Sequence, residues 1–232
     1  TRTNVAKSTK LKELLTIPRY ITFLLEHEKQ KGGCSNIGEL FEFIIGNSIQ
    51  TAINKYQDSS NHQKNTRRKK IINRQDSINN EGKRILIQRV LEKVAFIMEI
   101  SRKDQISKDE LYTILDEVKG NMAQMLVTNF DLLYFESRIL KDTNGILQFE
   151  NTELQEYLAA KELCRQDNIE SVLYDVAVQK DLKHIYPNWY DVIPHISYTK
   201  DEIHTFINVI ELIVSYESSL ENDSFESLLR YV

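Results

Sequence analysis

Apolar positions along the chain fall into blocks, and the spacing inside each block predicts its element. Leu11, Leu14 and Leu15 share one helical face before Pro18 interrupts. Proline suits the first turn of a helix, where its missing N–H has no partner to lose, so a new helix is predicted to open at Thr16–Pro18. It carries Ile21, Leu24 and Leu25 and stops at Gly32-Gly33. Asn36, followed three residues later by Glu39, resembles a capping pair. Behind it Ile37, Leu40, Phe41, Ile44, Ile45, Ile49 and Ala52 recur close to the helical period. Residues 8–54 therefore read as a helical cluster. Over residues 55–83 Gln, Asn, Ser, Lys and Arg dominate, and apolar positions thin to Ile71, Ile72 and Ile78. Such a stretch reads as a linker between domains.

Density returns at Arg84, where Ile85, Leu86, Val90, Leu91, Val94, Ala95, Ile97 and Met98 predict a strongly buried helix. Ser107 and Glu110 form a capping box for a short helix with Leu111, Ile114 and Leu115, and a third helix is predicted over 122–136. Two β-prone runs between Arg138 and Phe149 then flank Asn144-Gly145, a dipeptide that supplies the positive φ angles of a tight hairpin. Three helices followed by a hairpin is the order of a winged helix. The hairpin leads into a helix capped by Asn151 or Thr152, with Gln155 completing a box around Thr152. Its apolar face would be Leu154, Tyr157, Leu158 and Leu163. After Asp167 short amphipathic helices are predicted, with starts at Thr199 (Glu202) and Asp223 (Glu226), and a stripe from Ile203, Phe206, Ile207 and Ile210 to Ile213 and Val214. The expected fold is mainly α. A helical domain spans 1–56, a basic polar linker 57–83, a winged-helix unit with one β-hairpin 84–165, and a second, truncated helical domain 166–232.

Composition narrows the class. With 41% hydrophobic and 28% charged residues, the chain is too apolar to be wholly disordered. A formal charge of −4 gives no global pull toward nucleic acid or anionic membrane, and no stretch approaches the ~18 apolar residues of a membrane span. Cys34 and Cys164 lack metal-type spacing and read as reduced thiols of a cytoplasmic protein. His27, His62, His184, His195 and His204 lack it too, so packing or surface roles are expected, and Trp189 reads as a core anchor. The charge anomaly is the basic run Lys64, Arg67, Arg68, Lys69, Lys70 and Arg74. It reads as a solvated linker, or as a surface for nucleic-acid phosphates or an acidic neighbouring subunit. No aromatics for base stacking accompany it. The 122–136 helix has no Lys or Arg but has Asp131 and Glu136, which argues against groove reading, so nucleic acid is not the expected partner.

Two stretches resemble landmarks of the NACHT branch of the STAND nucleotide-switch NTPases. The segment 11–25 (LKELLTIPRYITFLL), followed by 36–44 (NIGELFEFI), is similar to that family's first helical domain, where a proline opens a helix beneath the adenine. The segment 149–160 (FENTELQEYLAA) resembles the end of its winged-helix domain, and 186–192 (YPNWYDV) looks like the start of the helical domain that follows. The resemblance covers about two thirds of the chain. It departs at Asn151, where the family usually has a phosphate-facing histidine, and at Thr16, where a glycine is common. Asparagine can donate a hydrogen bond to phosphate but carries no charge.

The sequence has no Gly-x-x-x-x-Gly-Lys-Ser/Thr loop and no acidic cluster ending a buried strand, which nucleotide hydrolysis requires. The resemblance implies that these precede Thr1, so no catalytic residue is expected in these 232 residues. ATP or ADP with Mg²⁺ would belong to the intact protein. Pro18 would then face adenine, or serve solely as a helix opener. Asn151 would reach the terminal phosphate of ADP, act as an N-cap, or do both. The implied function is a regulatory arm that helps to hold ADP in a closed state and swings to permit ATP-driven oligomerisation and signalling, as in antiviral or innate-immune defence. The implied partners are the chain's own N-terminal NTPase domain and other subunits of a homo-oligomer, with no membrane. The Asn-, Lys- and Ile-rich composition points to a bacterial source. The alternatives are a winged-helix nucleic-acid-binding regulator, a helical protein-interaction scaffold, and a related STAND branch.

Overall fold

The computed structural model describes residues 16, 18–32, 36–62, 80–117, 137–179, 184–199, 208 and 211. These are mainly helical, with a small three-stranded antiparallel sheet. In order they form α1 (Pro18–Lys31), α2 (Ile37–His62), α3 (Asn80–Ser101), β1 (Ile106–Ser107), α4 (Lys108–Glu117), β2 (Leu140–Thr143) and β3 (Ile146–Phe149). There follow α5 (Thr152–Cys164), α6 (Ile169–Ala177), β4 (Val178–Gln179), β5 (His184–Ile185) and α7 (Trp189–Thr199). The chain divides into two compact units, one of residues 1–91 and 105–151, the other of 92–104 and 152–232. Helix α3 thus gives its first half to one unit and its second half to the other.

In the first unit α1 opens at Pro18 and ends at Gly32, whose φ of +81° and N–H bond to Glu28 O (3.0 Å) make a left-handed cap. The buried face of α1 differs from the expected one. Tyr20 and His27 are buried, His27 edge-on to Phe43, while Ile21 and Leu25 remain 41% and 52% exposed. The His27–Phe43 ring contact joins α1 to α2, and the aliphatic Ile21 and Leu25 turn outward. Helix α2 follows its predicted stripe. Leu40, Phe41, Ile44, Ile45, Ile49 and Ala52 are buried, and the N–H of Glu39 donates to Asn36 Oδ1 at 2.9 Å. On α3 the buried positions begin at Ile87, Val90 and Leu91, and Ile85 is half exposed, one step off the stripe.

The hairpin follows its sequence signal. Asn144 and Gly145 take φ of +57° and +85°, and the register pairs Leu140 with Phe149 and Thr143 with Ile146. Two positive φ values in a two-residue loop match the right-handed twist of the flanking strands. Asp142 Oδ1 accepts from the Gly145 N–H (2.8 Å), and its other oxygen pairs with Lys108. The Lys108 ammonium and the Gly145 N–H hold the Asp142 carboxyl below its ordinary value. Ser107 and Glu110 close the predicted box: Glu110 N–H donates to Ser107 Oγ (3.1 Å) and Ser107 N–H to Glu110 Oε2 (2.8 Å). Strand β1, not foreseen from the pattern, pairs Ile106 with Leu147 and completes the order β1-β3-β2.

In the second unit α5 packs on α6 and most heavily on α7. An antiparallel β4–β5 pair, also unforeseen, lies between α6 and α7 in sequence. Trp189 is fully buried, as expected of a core anchor. Thr199 is the last residue of α7, and the helix expected to start there lies outside the described residues, as does the one expected at Asp223. The expected helix over 122–136, the basic run at 64–74 and Cys34 lie outside the described residues. So does the stripe from Ile203 to Val214, apart from helical, exposed Asn208 and Glu211.

Candidate functional site

Helix α5 carries the QEYLAA segment and is not amphipathic. Glu153, Gln155, Glu156 and Glu162 are buried along with Leu154, Tyr157, Leu158, Ala159, Ala160 and Leu163. A helix buried on all sides needs partners for its polar groups. The partners shown come from the second half of α3 and from α7.

Glu99 is the centre of one cluster. The amide of Gln155 donates to Glu99 Oε1 at 2.7 Å and to Lys103 O at 3.4 Å. The amide of Asn188 donates to Glu99 Oε2 at 2.9 Å and to the Glu99 backbone oxygen at 2.8 Å. Gln155 therefore does not close a local capping box on Thr152; its amide reaches α3. Asn188 is placed by a turn in which the Trp189 N–H bonds to Tyr186 O (3.0 Å), with Pro187 at the position where its fixed φ favours a turn. Helix α3 ends in the same place. The Lys103 N–H returns to Met98 O (2.9 Å) and the Arg102 N–H to Glu99 O (3.1 Å), with Arg102 left-handed at φ +55°. This is a Schellman cap with arginine where glycine is usual. The Arg102 guanidinium lies 3.9 Å from the Tyr186 ring centroid, a cation–π contact that helps to offset the backbone cost. Burial pushes the Glu99 carboxyl above its ordinary range. The two amide bonds oppose that shift, while the charges of Glu156 and Asp191 add to it.

A second cluster surrounds Glu92, which is fully buried. Arg165 grips both of its oxygens, Nε to Oε2 at 2.8 Å and Nη2 to Oε1 at 3.1 Å, and Lys161 Nζ lies 3.5 Å from Oε1. Lys93 pairs with Glu162 at 3.1 Å, a second ion pair between α3 and α5. On α7, His195 is buried edge-on to Tyr157, with Nε2 3.5 Å from Glu156 Oε2. His27 and His195 thus fill the packing role expected of the histidines.

No family model, curated protein or solved structure matches this chain. The site must be read from its own chemistry. Among the described residues there is no group of three or more His, Cys, Asp or Glu placed to hold a metal ion. No described helix is long and apolar enough to cross a membrane. The clusters around α5 are hydrogen-bonded carboxylates and ion pairs that join it to α3 and α7.

The two nucleotide candidates lie in the first unit. Pro18 is exposed at the head of α1, and Asn151 is half-buried at the foot of the hairpin, directly before Thr152. The backbone there is anchored by the Glu150 N–H to Ile139 O at 2.8 Å. The sequence pattern singles out Gln155 but not Glu92, Glu99 or Asn188. The available signal was spacing: Gln88, Glu92 and Glu99 recur at helical intervals inside a dense apolar run, where a carboxylate needs a partner.

Proposed function

We propose that the chain is the regulatory arm of a NACHT-like STAND ATPase, with a helical segment, a winged-helix unit and a second helical segment. The supporting observation is the strand order β1-β3-β2, with α4 following β1 and the hairpin β2–β3 running directly into α5. A short strand after the first helix, pairing back onto the hairpin, is the topology of a winged helix. The QEYLAA helix then follows the wing without a linker, as it does in the resembling family. On this reading the arm carries no phosphate loop, and nucleotide belongs to an NTPase domain of the intact protein. The arm biases a two-state equilibrium by making different contacts in the ADP and ATP states. Its partners are that domain and, in the open state, further copies of the chain.

Asn151 is the residue proposed to reach the terminal phosphate of ADP. In the full-length protein Asn151→Asp places a negative charge there, and ADP affinity is expected to fall on the order of tenfold, roughly 1.4 kcal/mol. Calorimetric titration of ADP into both proteins tests this. Equal affinities remove the phosphate role.

A further inference from the structure

The Glu99 cluster combines two demands that oppose one another. Each amide nitrogen, that of Gln155 and that of Asn188, faces two acceptors, one of them a backbone carbonyl. The amides are therefore oriented by the main chain, and neither can turn its oxygen toward Glu99 without giving up its carbonyl bond. Both carboxylate oxygens consequently face N–H donors. Both are charge-assisted bonds, which a neutral carboxyl accepts only about half as strongly, so a proton on Glu99 weakens the two together. The surroundings favour that proton. Glu99 is 4% exposed, and the nearby charges on the elements packed against it are Glu156 of α5 and Asp191 of α7, both acidic. The cations of its own helix end, Arg102 and Lys103, project to an exposed stretch, with Arg102 over Tyr186.

We propose that Glu99 is a proton-sensitive joint: as a carboxylate it ties α5 and the entry of α7 to the end of α3, and on taking up a proton it slackens those ties. Asn188 is the tie whose loss matters most, because its amide also caps the end of α3 and its turn sets the start of α7. Each amide keeps its bond to a backbone carbonyl when the carboxyl is neutral, so the joint loosens locally while the unit remains folded. The proposal is independent of the nucleotide reading, since it concerns the second unit alone.

The test is a pH titration of the 232-residue chain by carbon-detected and amide NMR. The Glu99 side-chain carboxyl carbon and the side-chain amide protons of Gln155 and Asn188 are expected to move together, with one midpoint above the ordinary glutamate value of 4.5. Glu156→Gln, which removes a neighbouring charge, is expected to lower that midpoint. Glu99→Gln is expected to abolish the common step while leaving other carboxylates unchanged. Amide signals that ignore the Glu99 titration, or a midpoint at or below 4.5, overturn the proposal. The wild-type titration alone decides the matter if a variant does not fold.

Discussion

Gly145 shows how one residue enforces a local structure. It sits at φ +85°, and nothing lies within 4 Å of where a Cβ would stand. The cost of Gly145→Ala therefore comes from the backbone alone, about 1 kcal/mol for a left-handed alanine. Urea denaturation should show a lower midpoint of that size at unchanged slope, and an unchanged midpoint would contradict the turn assignment. Glu99 makes a prediction of opposite character. Its carboxyl binds the proton more tightly in the folded chain than in the unfolded one. Stability is therefore greatest below the ordinary value of 4.5 as far as this group is concerned, and falls as pH rises from there through the folded value. Asp142 has the reverse sign: its contribution is present above 3.8 and is lost as acid titrates it through its depressed folded value. Denaturation across the mildly acidic range should show the Glu99 slope, and Glu99→Gln should flatten it.

At the scale of elements, legibility followed locality. The α2 stripe, the Ser107–Glu110 box and the Asn144-Gly145 hairpin were readable because each is fixed by residues a few positions apart. Strands β1 and β4–β5 were not, since two residues carry no period and β1 owes its existence to Leu147, far along the chain. The inverted face of α1 has another cause. Tyr20 and His27 are buried where Ile21 and Leu25 stay partly exposed, and a polar atom on each kept them out of an apolar pattern. Likewise α5 looked amphipathic because only Leu154, Tyr157, Leu158 and Leu163 count toward its apolar face, when α3 and α7 supply partners for its buried polar groups. Its grip on Glu92 gives a test. Arg165→Ala removes two charge-assisted bonds to a fully buried carboxylate and should cost about 1.5–3 kcal/mol. Arg165→Lys should recover only part, because an ammonium cannot hold both oxygens in the same plane. Full recovery by lysine would mean that charge alone, not the planar fork, holds α5 to α3.

At the scale of the molecule, the division runs through the middle of α3, with Leu91 in one unit and Glu92 in the other. Within the second unit, Glu92 and Glu99 tie α3 to α5 through two sets of bonds two helical turns apart, which suits a body that moves as a whole. On the switch reading the arm biases the closed state through its contacts with the NTPase domain. To shift a closed state from 99% to 1% takes roughly 5.5 kcal/mol of differential binding. That is a few side-chain contacts, so single substitutions at the contacts between arm and NTPase are expected to leave the intact protein stuck in one state.

The most direct test of this account is the nucleotide carried by the natural full-length product. Purified without added nucleotide, it should have an intact mass well above the 27.2 kDa of these 232 residues. On denaturation it should release about one ADP per chain, as a nucleotide held in a closed state requires. A product of this size that releases no nucleotide would contradict the switch, and the chain would then be a helical module that binds other proteins.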